Sequence, residues 1–144
     1  MKIRLNKYLH LILNIILPII LGVFIYIVYR SNKIIIFNWL FFIGLDGFVN
    51  YIRNSDIFFI NLPFWIKYNF PDGLWVYSLI SMFLLLWIDD INKNDFYYAY
   101  IISIIACFCE VLQLYGIIPG TYDFIDILFY LIFGFLPFLF LSKK

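Results

Sequence analysis

Long apolar runs separated by short polar breaks dominate the chain. Five of them approach the roughly 20 residues that a membrane-crossing helix needs at about 1.5 Å rise per residue. They are Leu11–Tyr29, Ile34–Leu45 (or on to Ile52 if Asp46 is included), Leu74–Ile88, Phe96–Leu114 and Phe124–Leu141. The second is the weakest, because a carboxylate at mid-span costs roughly 2.5–3.5 kcal/mol on insertion scales. The pattern predicts an all-α fold, a single polytopic transmembrane helix bundle over residues 1–144. It has five helices, or four if 34–52 does not span. Pro18 and Pro137 fall inside helices, where a neighbouring helix can satisfy the carbonyl that each proline frees.

The polar breaks differ in character. Arg30–Lys33 and Asp89–Asp95 read as short solvated turns. Asn54–Asp72 is longer and carries Phe58, Phe59, Phe64, Trp65, Tyr68 and Phe70, so it is expected to lie along the membrane surface, where aromatic side chains collect. Gly116–Tyr122 is an uncharged turn rich in Gly and Pro. The first run follows Lys2, Arg4 and Lys7, as a signal peptide would. It exceeds the about 7–15 apolar residues of such a peptide and lacks a small-residue cleavage site, so it reads as a retained helix.

Composition agrees with the pattern. Of 144 residues, 65% are hydrophobic and 13% charged, against about 45–50% and about 25% in soluble domains. Disorder and a water-soluble core are excluded, and a formal net charge of +1 argues against a nucleic-acid partner. With five spans the basic residues divide five to a side, so charge does not orient the bundle. The abundance of Ile, Phe, Asn and Lys associates with an AT-rich bacterial source, hence an expected bacterial inner-membrane location. Cys107 and Cys109, two apart in an apolar run, read as small core residues.

The candidate chemistry lies in carboxylates that apolar runs ordinarily avoid. Asp72 opens the third helix, Glu110 and Gln113 close the fourth, and Asp123 and Asp126 open the fifth. Alternating helix directions bring all five to one membrane face. Ser103, Ala106, Glu110 and Gln113 share one stripe of the fourth helix. Asp123, Asp126, Tyr130 and Gly134 share one of the fifth. Intramembrane carboxylates face a bundle interior or a wet cavity, and small residues such as Gly134 and Ala106 let the two stripes approach. Asp72 and Asp123 also stand where helix caps are expected. Glu110 lies against the helix dipole, so it is protonated, paired with Arg53 or Lys67, or functional. His10, the only histidine, is expected at the surface. No zinc-protease H-E-x-x-H motif is present, and no catalytic residue, metal or cofactor is assigned.

Glu110-Val-Leu-Gln113, followed by Asp123-Phe-Ile-Asp126 and Gly134, resembles the signature of VanZ-like proteins, small bacterial membrane proteins of the cell envelope. The likeness covers about 71–137, including Pro71-Asp72-Gly73-Leu74-Trp75. Gly120 stands where the family has Arg, and Tyr130 where Asn is usual. The resemblance implies membership in an envelope-associated family. The residues themselves are read as a polar pocket of Asp72, Glu110, Gln113, Asp123, Asp126 and Tyr130 that engages a membrane lipid or lipid-linked envelope component, with Arg53 or Lys67 as charge partner. Three further readings stay open: a small proton or cation transporter or channel subunit, acting as a homo-oligomer, an accessory subunit held by a protein partner, and a carboxylate-dependent membrane enzyme.

Overall fold

A computed structural model describes residues 7–31, 34–54, 61–86 and 93–141, and among them it contains seven helices and no strand. The helices are α1 (Lys7–Tyr29), α2 (Ile35–Phe42), α3 (Asp46–Asn54), α4 (Phe64–Tyr68), α5 (Phe70–Leu86), α6 (Lys93–Leu114) and α7 (Phe124–Leu141). α1 and the Asn94–Leu114 part of α6 are long and apolar enough to cross a membrane. α5 and α7 are shorter apolar helices.

Each boundary has a local cause. α1 begins earlier than the apolar run, at Lys7, and passes through a π-helical turn at Ile12–Ile16, just before Pro18. The wider turn accommodates a residue that cannot donate to the carbonyl four back. The run 34–52 does not form one helix. It breaks at Ile43-Gly44-Leu45, where Gly44 has φ 79°, and Asp46 opens α3 with its carboxylate at the favourable helix end. The resulting eight- and nine-residue helices are about 12 and 14 Å long, well short of a ~30 Å hydrocarbon layer. They pack on the C-terminal half of α1 through Ile27, Phe37, Val49 and Ile52. The third apolar run begins its helix at Phe70 rather than Leu74, with Pro71 in the first turn. Of the aromatic stretch, 64–68 forms α4, while Phe58 and Phe59 lie outside the described residues, as does the 89–92 part of the polar turn.

α5 is the central helix and packs against α1, α6 and α7. Val76, Ile80 and Leu84 of α5, Ala99 of α6 and Phe138 of α7 form the main apolar core. Gly134 sets the closest approach of α6 and α7. A Cβ built there would lie 1.7 Å from Ser103 Oγ, which donates to the Tyr130 carbonyl at 3.0 Å. Only a residue without a side chain fits, and Ser103, rather than the expected Ala106, is what meets it.

Beside its apolar core the bundle buries a set of polar side chains, and its outside carries many apolar ones. Buried side chains include Asn69, Ser78, Ser81, Asp95, Ser103, Glu110 and Asp126, while Leu13, Ile20, Ile105, Phe108, Ile132 and Phe135 are exposed. His10 is also fully buried, against the expected surface position. Its Nε2 bonds the Ser81 carbonyl at 3.1 Å and its Nδ1 meets the Asn14 amide at 2.9 Å, and Tyr77 donates to Asn14 Oδ1 at 2.5 Å. These partners, supplied by α1 and α5, are what permit a buried imidazole. Cys107 and Cys109 are free thiols at partly buried positions.

Gly134→Ala should lower unfolding stability in detergent by about 1–3 kcal/mol through overpacking. Adding Ser103→Gly to that variant should restore most of the loss. An unchanged denaturation midpoint for Gly134→Ala would show that the α6–α7 contact is not tight.

Candidate functional site

Four helix ends converge on one cavity. α1 and α5 are antiparallel, as the bonds from His10 to Ser81 at one end and from Tyr26 to Asp72 at the other show. α6 runs antiparallel to α7, with Glu110 beside Asp123 and Tyr130. The C-terminal ends of α1 and α6 therefore meet the N-terminal ends of α5 and α7. The cavity between them is about 570 Å³ and half open. It is lined by Tyr26, Arg30, Ile34, Phe64, Tyr68, Asn69, Asp72, Glu110, Gln113, Gly120, Thr121, Asp123, Asp126 and Tyr130.

Local chemistry positions each side chain. Asp123 precedes α7, and its Oδ1 accepts the Ile125 N–H at 2.8 Å, as an N-cap does. Asp126 is one turn further in and buried. The Asn69 side-chain amide donates to both carboxylates, to Asp123 Oδ2 and Asp126 Oδ1, each at 2.8 Å. Glu110, 4% exposed, accepts the Asp123 backbone N–H and the Tyr130 hydroxyl, each at 3.3 Å. All six sequence-expected site residues thus line one cavity.

Asp72 does not cap α5. It lies inside the first turn, and its carboxylate accepts the Tyr26 hydroxyl at 2.5 Å and Arg30 Nη2 at 3.2 Å. Arg30 leaves the end of α1 in extended geometry, with φ −86° and ψ 154°. Its guanidinium sits 4.9 Å from the ring centres of both Tyr26 and Tyr68 and donates to the Tyr68 carbonyl at 2.8 Å. A planar, weakly hydrated cation suits a slot between two phenol rings.

Arg30 is thus the partner of Asp72, while Glu110, expected to pair with Arg53 or Lys67, is bonded to the Asp123 N–H and the Tyr130 hydroxyl instead. Arg53 donates to the Ile27 carbonyl at 2.6 Å and the Arg30 carbonyl at 2.5 Å and lies over the Phe37 ring, so it satisfies carbonyls left open at the end of α1. Lys67 bonds Asn61 Oδ1 at 3.2 Å and lies over Tyr29. Neither lines the cavity. The cause is topological: α1 packs antiparallel on α5, so its end falls beside Asp72. Tyr26, Arg30, Tyr68, Asn69 and Thr121 were not among the expected site residues. The signal for two of them was the four-residue spacing of Tyr26 and Arg30, which puts both on one helix face.

Gly120 has φ 147°. A Cβ there would lie 2.5 Å from Gln113 Cδ, so the Gln113 amide fills the space that a longer side chain would take. Among the described residues the lining holds no Ser, Cys, His or Lys. Among the described residues no group of three or more His, Cys, Asp or Glu is placed to hold a metal ion. What the arrangement can do is accept hydrogen bonds from several sides in a confined space. Compared with known proteins, the chain matches no family model, no curated protein sequence and no solved structure.

Arg30→Met should destabilise the fold by about 3 kcal/mol, because it strands a largely buried carboxylate. Asp72→Asn in the same chain should recover most of that loss, since the amide still accepts from Tyr26. Additive losses in this double-mutant cycle would show that the two residues do not act as a pair.

Proposed function

We propose that the chain is an integral membrane protein of four spans, α1, α5, α6 and α7, whose cavity binds the polar head of a lipid or lipid-linked component of the cell envelope. The observation that carries this reading is the cavity itself. Carboxylates, phenols and amides surround about 570 Å³ at one end of a bundle whose flanks are apolar. That volume lies within the roughly 300–1,000 Å³ of small-molecule sites. At 17 and 18 residues, α5 and α7 fall at the short end of the roughly 17–25 residues of spanning helices. The likeness of Glu110, Gln113, Asp123 and Asp126 to the VanZ-like signature supports the same reading, and it rests on those residues.

Four spans also change the charge count. Lys2, Arg4, Lys7, Lys93, Lys143 and Lys144 then share one side, and Arg30, Lys33, Arg53 and Lys67 share the other, with the cavity. The positive-inside rule directs the first group to the cytoplasm and the cavity to the outer face.

Native mass spectrometry of the protein extracted from its membrane should find retained lipid. Glu110→Gln and Asp126→Asn should each reduce that retention about tenfold or more, the loss of one charge-assisted hydrogen bond, with thermal stability checked in parallel. Equal retention by both folded variants would remove the cavity as the lipid site.

A further inference from the structure

We propose that the cavity selects a primary ammonium joined to a phosphate, the head of an aminoalkyl-phosphate lipid. This deepens the lipid reading and rests on it.

Charge gives the first half of the inference. Arg30 is already committed to Asp72 and to the two phenol rings. Glu110, Asp123 and Asp126 remain, and among the described residues no further Lys or Arg lines the cavity. Their partners are uncharged donors: an amide, a backbone N–H and a phenol. Three carboxylates sharing a confined space favour a cation among them.

Asn69 gives an independent second half. It is 1% exposed, and its side-chain amide reaches Asp123 and Asp126, which fixes its orientation, since the reverse would set its oxygen against two carboxylates. Its Oδ1 is buried with no partner. Such an acceptor calls for a donor, and a primary ammonium brings three N–H groups to carboxylate and carbonyl oxygens together. A trimethylated ammonium has none. Arg30, also on the lining, has its Nε–H buried without a partner, which suits the phosphate that would follow the ammonium.

The test uses the full chain in detergent, with equimolar short-chain phosphatidylethanolamine, phosphatidylcholine and phosphatidylglycerol of identical acyl chains, read by native mass spectrometry. The ethanolamine lipid should be held at least tenfold over the other two, and Glu110→Gln should abolish that preference. The wild-type ranking needs no variant to fold. Equal retention of the choline lipid, or preference for the glycerol lipid, overturns the ammonium assignment while leaving a lipid pocket standing. Retention of none of the three overturns the aminoalkyl-phosphate assignment, and absence of any lipid on the protein extracted from its membrane overturns the lipid reading as well. Competition by free ethanolamine as strong as by the lipid overturns the phosphate half and moves the site to a soluble amine.

Discussion

The Asp72 carboxylate is the joint on which the site is built. It receives Tyr26 and Arg30 from the end of α1 and so ties the first helix to the central one. Arg30 in turn grips the Tyr68 carbonyl, which fixes the segment leading into α5 and sets Asn69 in place. Asn69 then holds both carboxylates at the start of α7. Each bond orients the donor of the next, so three helices reach their positions through one connected polar chain. Networks of this kind specify an arrangement more strongly than their separate bonds suggest, because any unmet member is penalised in a low-dielectric setting.

Away from that chain, the bundle is held by shape. In the proposed membrane setting, an apolar exterior leaves little to gain from gathering apolar groups at the centre, because the surroundings are apolar too. Close backbone approach and inter-helix hydrogen bonds then carry the association. Gly134 against Ser103 joins both devices at one point, because the glycine admits the serine and the serine bonds the neighbouring backbone. The same economy explains why so many hydroxyls and amides are interior while Leu, Ile and Phe side chains face outward.

Much of this was legible in the residues. Runs of apolar side chains located the long helices, and the final one matches its structural bounds, Phe124–Leu141. The three- and four-residue steps through Glu110 and Gln113, and through Asp123, Asp126 and Tyr130, marked side chains that share a cavity. Periodicity describes one helix at a time, and that is where legibility ended. Nothing in the spacing says which end of α1 meets α5, so Arg30 passed for a turn residue and Asn69 for part of a surface stretch. Apolar content alone also made one segment of 34–52, because hydropathy does not register the backbone reversal at Gly44. His10 misled for a related reason: a titratable group near a terminus reads as solvated until its partners, Asn14 and Ser81, are brought in from another turn and another helix.

The bonded contacts of α1 with α5 have a mechanical consequence. They lie at His10 and Asn14 toward one end of α1 and at Tyr26 and Arg30 toward the other, so the helix is clamped like a beam supported at both ends. Sliding or rolling it would break both clamps together, and the π-helical turn is itself pinned where Tyr77 bonds Asn14.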